Sequence, residues 1–426
     1  MTNQINTKLK ETLEKNKEEY IGYLKDLIAI DTRDLGHGID GGLEKEGQEY
    51  LIKLFEKLGA DVKVDPMKEE VIQQFYKDHG EGNLGHNYDD RFNVYASFKA
   101  DPSKKSLMFN GHIDVMPPGD ETLWDNPPFE PIIKDGILYG RGTADMKGGL
   151  MAAIMAVKLL KDAEIDLPGE VIITSVCDEE GGGNGSMQAI ASGQRADGVV
   201  VCEGTDQELI LAHMGFVFFR VEFSGIACHS GMKTKGVNAI EKAIKAINAL
   251  NELEHKWLLK YKHPLLPPPN LNIGVIKGGT AGSTVPDECY FETCVHYLPN
   301  LMSKKQIEEE FMDTINRVAK SDPFLEKNPP KVTIYQAGNG FEMDLDHGLV
   351  NSFKNSFKLA MDKEVKAVGS PAGCDSRLWR SIAKMPTIQF GPGSLKMAHA
   401  INECVPVEEY LNAILIYANL ILDYCK

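Results

Sequence analysis

Three consecutive acids, Asp178, Glu179 and Glu180, close the apolar run EVIITSVC and give way at once to three glycines. Adjacent carboxylates repel, so acids at the end of a buried strand need separate tasks or a nearby counter-charge. Neighbours on a bent strand end point apart, which lets one bind a metal while the other faces substrate and water. Bound cations would offset their repulsion. The glycines allow a sharp backbone turn and leave room for a substrate. Out of context, DEEGG is more often a solvated acidic turn, so the case rests on what accompanies it.

Other chemically capable residues fall at equivalent places. SLMF (106–109) runs into Asn-Gly-His112-Ile-Asp114, DGVVVC (197–202) into Glu203-Gly204, and MPTIQF into Gly-Pro-Gly and a loop carrying His399. Ligands of open α/β sheets bind beyond the carboxyl ends of the strands. Four strand ends would therefore supply His, Glu, Glu and His to one cleft. His112 and Asp114 are two apart, and on an extended segment they point the same way. A metal-binding imidazole commonly gives its other N–H to a carboxylate, so this pair reads as a ligand and its orienting partner. A lone His-x-Asp is more often part of an ordinary loop. Asp145, in YGRGTADMKGG, is equally a helix N-cap and a carboxylate that a glycine-rich loop holds between two metal ions. Lys147 is followed by glycine, which excludes a Walker A loop.

These residues need a scaffold. Short apolar runs alternate with helical patterns in the first half, including a helix over 146–161, and predict a mainly parallel α/β sheet. The N-terminal stretch, with Leu13, Tyr20, Leu24, Leu27 and Ile28, predicts an amphipathic helix. Beyond Gly215 the texture changes to alternating strands (FVFFRVEFSG, LNIGVIKGG, ECYFETCVHYL) and two helices. After 335 it returns to α/β. The expected layout is a discontinuous α/β domain of residues 1–214 and 336–426, with an α+β segment of 215–335 inserted.

The 426 residues are enough for two cores. Asp and Glu number 62 against 46 Lys and Arg, a formal net charge of −16, which argues against nucleic acid or an anionic membrane as partner. No run suits a signal peptide or a membrane span. The eight cysteines form no CxxC pair and read as reduced thiols of a cytoplasmic protein.

In family order, the segments GHIDVMPPGD, LYGRGTADMKGG, CDEEGGGNGS, VCEG, CHSG, CDSR and FGPG…AHAINE resemble the M20 family of dinuclear zinc amidohydrolases and peptidases, which includes acetylornithine deacetylase and succinyl-diaminopimelate desuccinylase. The resemblance implies a zinc-hydrolase catalytic domain and an inserted lid and dimerisation domain. It gives one zinc to His112 and Glu203 and the other to Glu180 and His399, with Asp145 bridging, Asp114 orienting His112 and Glu179 as general base. A cis peptide would follow Asp145. His229 would reach a neighbouring subunit's site in a homodimer, and Arg377 would pair with a substrate carboxylate. Two substrate-contacting positions depart from the usual residues: Thr284 stands where Asn is common and His296 where Arg is common. Of the remaining histidines, His86 and His296 are the candidates for substrate neighbours.

The expected reaction is hydrolysis of an N-acyl amino acid or related N-acyl amine by a deacetylase, desuccinylase or deformylase type of enzyme, on a small substrate bearing a carboxylate. Glu203, rather than Asp, goes with deacylases and carboxypeptidases in the family. Two Zn2+ per subunit are implied, with Co2+ or Mn2+ as substitutes. The alternatives are a dipeptidase or carboxypeptidase on the same metal site, and a non-catalytic ligand-binding homologue. The retained Glu179 weighs against the last.

Overall fold

The computed structural model describes residues 3–426. The chain divides into two compact units: residues 1–211, 343–368 and 374–426 form one, and 212–342 with 369–373 form the other. The sequence reading put the joins at 214/215 and 335/336.

In the first unit, sheet neighbours run in the order Asp61–Pro66, Phe92–Phe98, Val171–Val176, Leu107–His112, Gly198–Val201, Thr387–Gln389 and Leu209–His213. The four central strands, from Val171–Val176 to Thr387–Gln389, are parallel; the strands outside them are antiparallel. Every residue of the Leu107–His112, Val171–Val176 and Gly198–Val201 strands is buried. Strands covered on both faces read as unbroken apolar runs rather than alternating ones, which is why they were visible in the sequence.

The helix Lys147–Asp162 is buried around its whole circumference from Lys147 to Leu160. Such a helix must be enclosed by other elements, and Val407–Tyr424 and Asn3–Ile28 both pack on it. Its first turn passes so close to the sheet that a Cβ on Gly149 would run into the Cys202 carbonyl oxygen. The Lys147 ammonium is buried and donates to the Leu27 and Ile30 carbonyls at 3.2 and 2.8 Å, closing the end of Asn3–Ile28. Burial pulls its pKa down to about 7.

The second unit holds a four-stranded antiparallel sheet, ordered Asn270–Gly278, Glu288–Tyr297, Gly215–Ser224, Lys331–Gly338. Gly215, Val217, Phe219, Val221 and Phe223 are buried at alternate positions, so one face turns to the core. The helices Ala239–Lys260 and Lys304–Lys320 supply the other half of that core, with Phe219 stacked on Phe311 at a centroid distance of 3.8 Å. Asn238 and Ser303 cap them, accepting from the Glu241 and Gln306 amides. No helix among the described residues is long and apolar enough to cross a membrane. All eight cysteines are free thiols, six of them buried.

Asp322 ties this unit's helices to the segment that follows them. Its buried carboxylate accepts from Lys242 and Lys245 at 2.7 Å each, and from the Phe324 and Leu325 amides at 3.1 and 3.3 Å. Burial opposes the charge, but these donors win and hold the carboxyl well below its usual range. A depressed carboxyl pKa stabilises the fold above the unfolded value of about 3.9, and that stability is lost as pH falls. Asp322→Asn should therefore cost about 2 kcal/mol at pH 7. The gap between wild type and variant should shrink below about pH 4, as measured by urea titration at both pH values.

Candidate metal centre

The parallel register sets where the chemistry lies. His112 is level with Val176 on one neighbouring strand, and Asn110 with Val201 on the other; Gln389 is also level with Val201. The chain leaves all four strands at the same edge of the sheet, so the segments carrying His112, Asp178–Glu180, Glu203 and His399 emerge side by side. Asp145 arrives from the loop that opens the Lys147–Asp162 helix, and its bond to Met146 is cis.

Two trios of potential ligand atoms result, His112 with Asp145 and Glu203, and Asp145 with Glu180 and His399; within each, the atoms lie within 4.8 Å of one another. The two oxygens of Asp145 divide between them. Oδ1 is 3.1 Å from His112 Nε2, and Oδ2 is 3.3 Å from His399 Nε2. His112 Nε2 is also 3.7 Å from Glu203 Oε1, and His399 Nε2 is 3.0 Å from Glu180 Oε2.

This donor set fits divalent cations better than it fits itself. Burial, then the charge of Asp145, pushes the Glu203 carboxyl well up and Glu180 up to about 7. Glu179 is also well raised, by desolvation and then by Asp375. Hydrogen bonds to Asp145 and Glu180 lift His399 to about 10. Glu180 Oε1 is buried without a hydrogen-bond partner. Two imidazoles and three carboxylates are a donor set suited to zinc and its neighbours.

The surrounding residues hold the ligands in place. His112 Nδ1 lies 2.8 Å from the main-chain carbonyl of Asp114, which fixes Nε2 toward the cleft; the Asp114 carboxylate stands farther off at 3.6 Å. That carboxylate instead accepts from the Glu180 amide at 3.0 Å. Asp114 therefore orients His112 mainly through its backbone, and uses its side chain to tie one strand end to the next.

Asp178 turns away from the cleft with φ +60°. Its carboxylate meets His86 Nδ1 at 2.8 Å and Arg91 at 3.1 Å, all three buried. His86 is thus the partner of Asp178 through Nδ1. The turn is completed by the Gly182 amide donating to Glu179 O at 2.7 Å.

Glu403 went unassigned in the sequence, where a single acid before an apolar strand gives no sign of its role. Its buried carboxylate gathers the Gly142, Ala144 and Asp145 amides at 2.9, 2.8 and 3.0 Å, with Arg141 at 2.7 Å. It holds the loop that presents Asp145.

Of the other candidates, Arg377 is buried and bonded to Glu81 and two carbonyls. His229 and Thr284 lie in the second unit as exposed cross-strand neighbours. His296, on the Glu288–Tyr297 strand of that unit, is half-buried against Asn270 Oδ1 at 3.2 Å, and burial lowers its pKa.

The class these features define is the metal-dependent hydrolases that cut amide bonds. Residues 108–423 match peptidase family M20/M25/M40, and the chain belongs to that family. It is 31% identical to the N-formyl-4-amino-5-aminomethyl-2-methylpyrimidine deformylase of Halalkalibacterium halodurans, over 97% of this chain and 96% of that protein. The Bacillus subtilis enzyme of the same name is 32% identical, over 78% of this chain and 83% of that protein. Among solved structures, a tripeptidase from Staphylococcus aureus shares the fold with a TM-score of 0.74 at 20% identity, covering 96% of this chain and 99% of that one.

Glu403→Gln keeps the side chain's size but loses half of its accepting capacity and its charge toward Arg141. Residues that orient metal ligands typically govern about 10–100-fold in affinity. The variant should lose metal affinity by that factor, read by competition with a chromogenic chelator; unchanged affinity would show that the clamp does not serve the ligands.

Proposed function

We propose that the protein is a two-zinc amidohydrolase that removes a small acyl group, such as formyl, acetyl or succinyl, from the nitrogen of a small amine. The observation that carries this reading is the pair of ligand trios sharing Asp145, with Glu179 next in sequence to the ligand Glu180. Similarity to two formyl-amine hydrolases over most of the chain supports the small acyl group and gives the formyl arm first place.

His112 and Glu203 would hold one ion, Glu180 and His399 the other, and Asp145 both. When bound, the ions would polarise the scissile carbonyl and make the attacking water acidic near neutral pH. Cobalt or manganese would occupy the same ligands. Glu179 takes a proton from the attacking water and delivers it to the leaving amine, so the products are a carboxylic acid and a free amine.

His229 is assigned the oxyanion contact, supplied from a second copy of the chain in a homodimer. Its Nδ1 accepts from the Gly231 amide at 3.2 Å, which leaves the proton of the neutral ring on Nε2, ready to donate. Such a donor is worth about 3–4 kcal/mol to the transition state. The Asn270–Gly278 edge of the second unit's sheet, exposed over its last three residues, offers a strand for pairing between copies. Free thiols throughout support a cytoplasmic location.

The test is a screen of purified, zinc-loaded protein against formyl-, acetyl- and succinyl-amines with free amine as readout, beside elemental analysis. Two ions per chain and release of amine are expected. Glu179→Ala should lower kcat by about 10²–10⁴-fold while keeping both ions. Undiminished turnover in that variant would remove Glu179 from the role of base.

A further inference from the structure

The turn after the Val171–Val176 strand takes three positive φ angles, at Asp178 (+60°), Gly182 (+126°) and Gly183 (+89°). Glycine adopts that region freely, whereas an L side chain meets its own backbone there. Aspartate tolerates it better than most residues, but not without cost. Among the described residues, twelve other than glycine have positive φ, and Asp178 alone of them is buried. The other eleven are exposed or half-buried, where water serves their side chains. Asp178 needs a hold from within the fold.

His86 supplies that hold. Its Nδ1 lies 2.8 Å from Asp178 Oδ2, the one hydrogen bond that this carboxylate receives among the described residues. Asn184 Nδ2 is 3.3 Å from the same nitrogen, but its two protons go to the Asn83 carbonyl and the Tyr88 hydroxyl at 2.8 Å each. His86 Nδ1 therefore carries the proton and donates to the carboxylate. Arg91 adds charge: its Nη2 is 3.1 Å from Asp178 Oδ1, without hydrogen-bond alignment. Glycines wall the slot, since a Cβ on Gly38 or on Gly181 would run into both His86 and Asp178.

The backbone of Asp178 passes this hold on to the cleft. Its carbonyl accepts from the Gly183 and Asn184 amides at 3.1 and 3.2 Å, closing the loop 178–184 on itself. Glu179 and Glu180 follow directly, so a rotation of Asp178 to negative φ would carry both acids out of place.

We propose that His86 is a positioning residue for this turn: by fixing the Asp178 carboxylate it keeps that residue left-handed, which sets Glu179 toward the attacking water and Glu180 within its ligand trio. The part concerning Glu179 rests on the hydrolase reading; the part concerning Glu180 rests on the ligand geometry.

The test separates backbone conformation from lost contacts. Asp178→Gly and Asp178→Ala both remove the carboxylate, but only glycine takes positive φ without penalty. The zinc-loaded proteins are assayed with the amide that the wild type cleaves fastest in the acyl-amine screen, and zinc affinity is read by competition with a chromogenic chelator. Asp178→Gly should keep a kcat about tenfold above that of Asp178→Ala at unchanged KM, and bind zinc more tightly. Lost contacts weigh on both variants alike, so equal kcat, or the reverse order, would overturn the proposal. A wild type that cleaves none of the amides would sink the hydrolase reading instead, and zinc affinity then decides: tighter binding by Asp178→Gly sustains the assignment and equal binding overturns it. His86→Ala is the second arm, and it holds whether or not Asp178→Ala folds. Its kcat should fall about tenfold in the wild-type background and by less than about twofold beside Asp178→Gly, where no side chain is left to hold. Equal losses in the two backgrounds would reduce His86 to packing and overturn its role.

Discussion

Like charge held close together in poor solvent is the constraint to which the first unit is built. Two carboxylates 4 Å apart repel by about 4 kcal/mol at an effective dielectric constant of 20. Asp145 has a carboxylate oxygen within 4.8 Å of one from Glu203 and of one from Glu180, and a typical hydrogen bond returns only about 1 kcal/mol. Hydrogen bonds to His112 and His399 hold the Asp145 carboxyl below its usual range against burial, but no such contacts outweigh burial at Glu179, Glu180 and Glu203. The raised carboxyl groups and the raised His399 express that imbalance, and compact divalent charge is the direct remedy.

A second ring of acids surrounds the first, and it is treated differently. Asp178 meets Arg91, Glu403 meets Arg141, and Glu81 meets Arg377, every partner buried. Each outer acid thus meets an arginine, with Arg91 shared by Glu44 and Arg377 by Asp375. Planar guanidinium groups suit this work because they hold charge under burial and reach carboxylates and carbonyls at once. The outcome is a division of labour: the outer ring shapes backbone turns, and the inner ring is directed into the cleft.

How much of this could be read from residues alone follows from the range of each interaction. The central parallel strands and the residues just past them were legible because full burial leaves a continuous apolar signal and its sudden end. The marginal strands were not. Asp61–Pro66 is mostly exposed, and Lys331–Gly338 lacks clean alternation, so the expected boundary at 335 fell inside it. The partners of the outer acids were also invisible. Glu81 and Arg377 lie 296 positions apart, and Arg141 and Glu403 lie 262 apart. An arginine in a sequence carries no mark of whether its acid is a substrate's or its own. The same holds for His112 and Asp114, where the spacing was informative but the bond runs to the carbonyl instead of the carboxylate.

The strand order also bears on biosynthesis. Thr387–Gln389 lies between Gly198–Val201 and Leu209–His213, although well over a hundred residues, including the whole second unit, separate it from them in the chain. A ribosome must therefore complete the inserted unit before the sheet can close. His399 and Glu403 emerge later still. Throughout that interval the nascent chain carries Glu179, Glu180 and Glu203 without the Thr387–Gln389 strand and without His399. Contacts of such sequence separation form slowly and leave apolar edges open meanwhile. The cluster of His112, Asp145, Glu180, Glu203 and His399 is thus completed only at the end of synthesis.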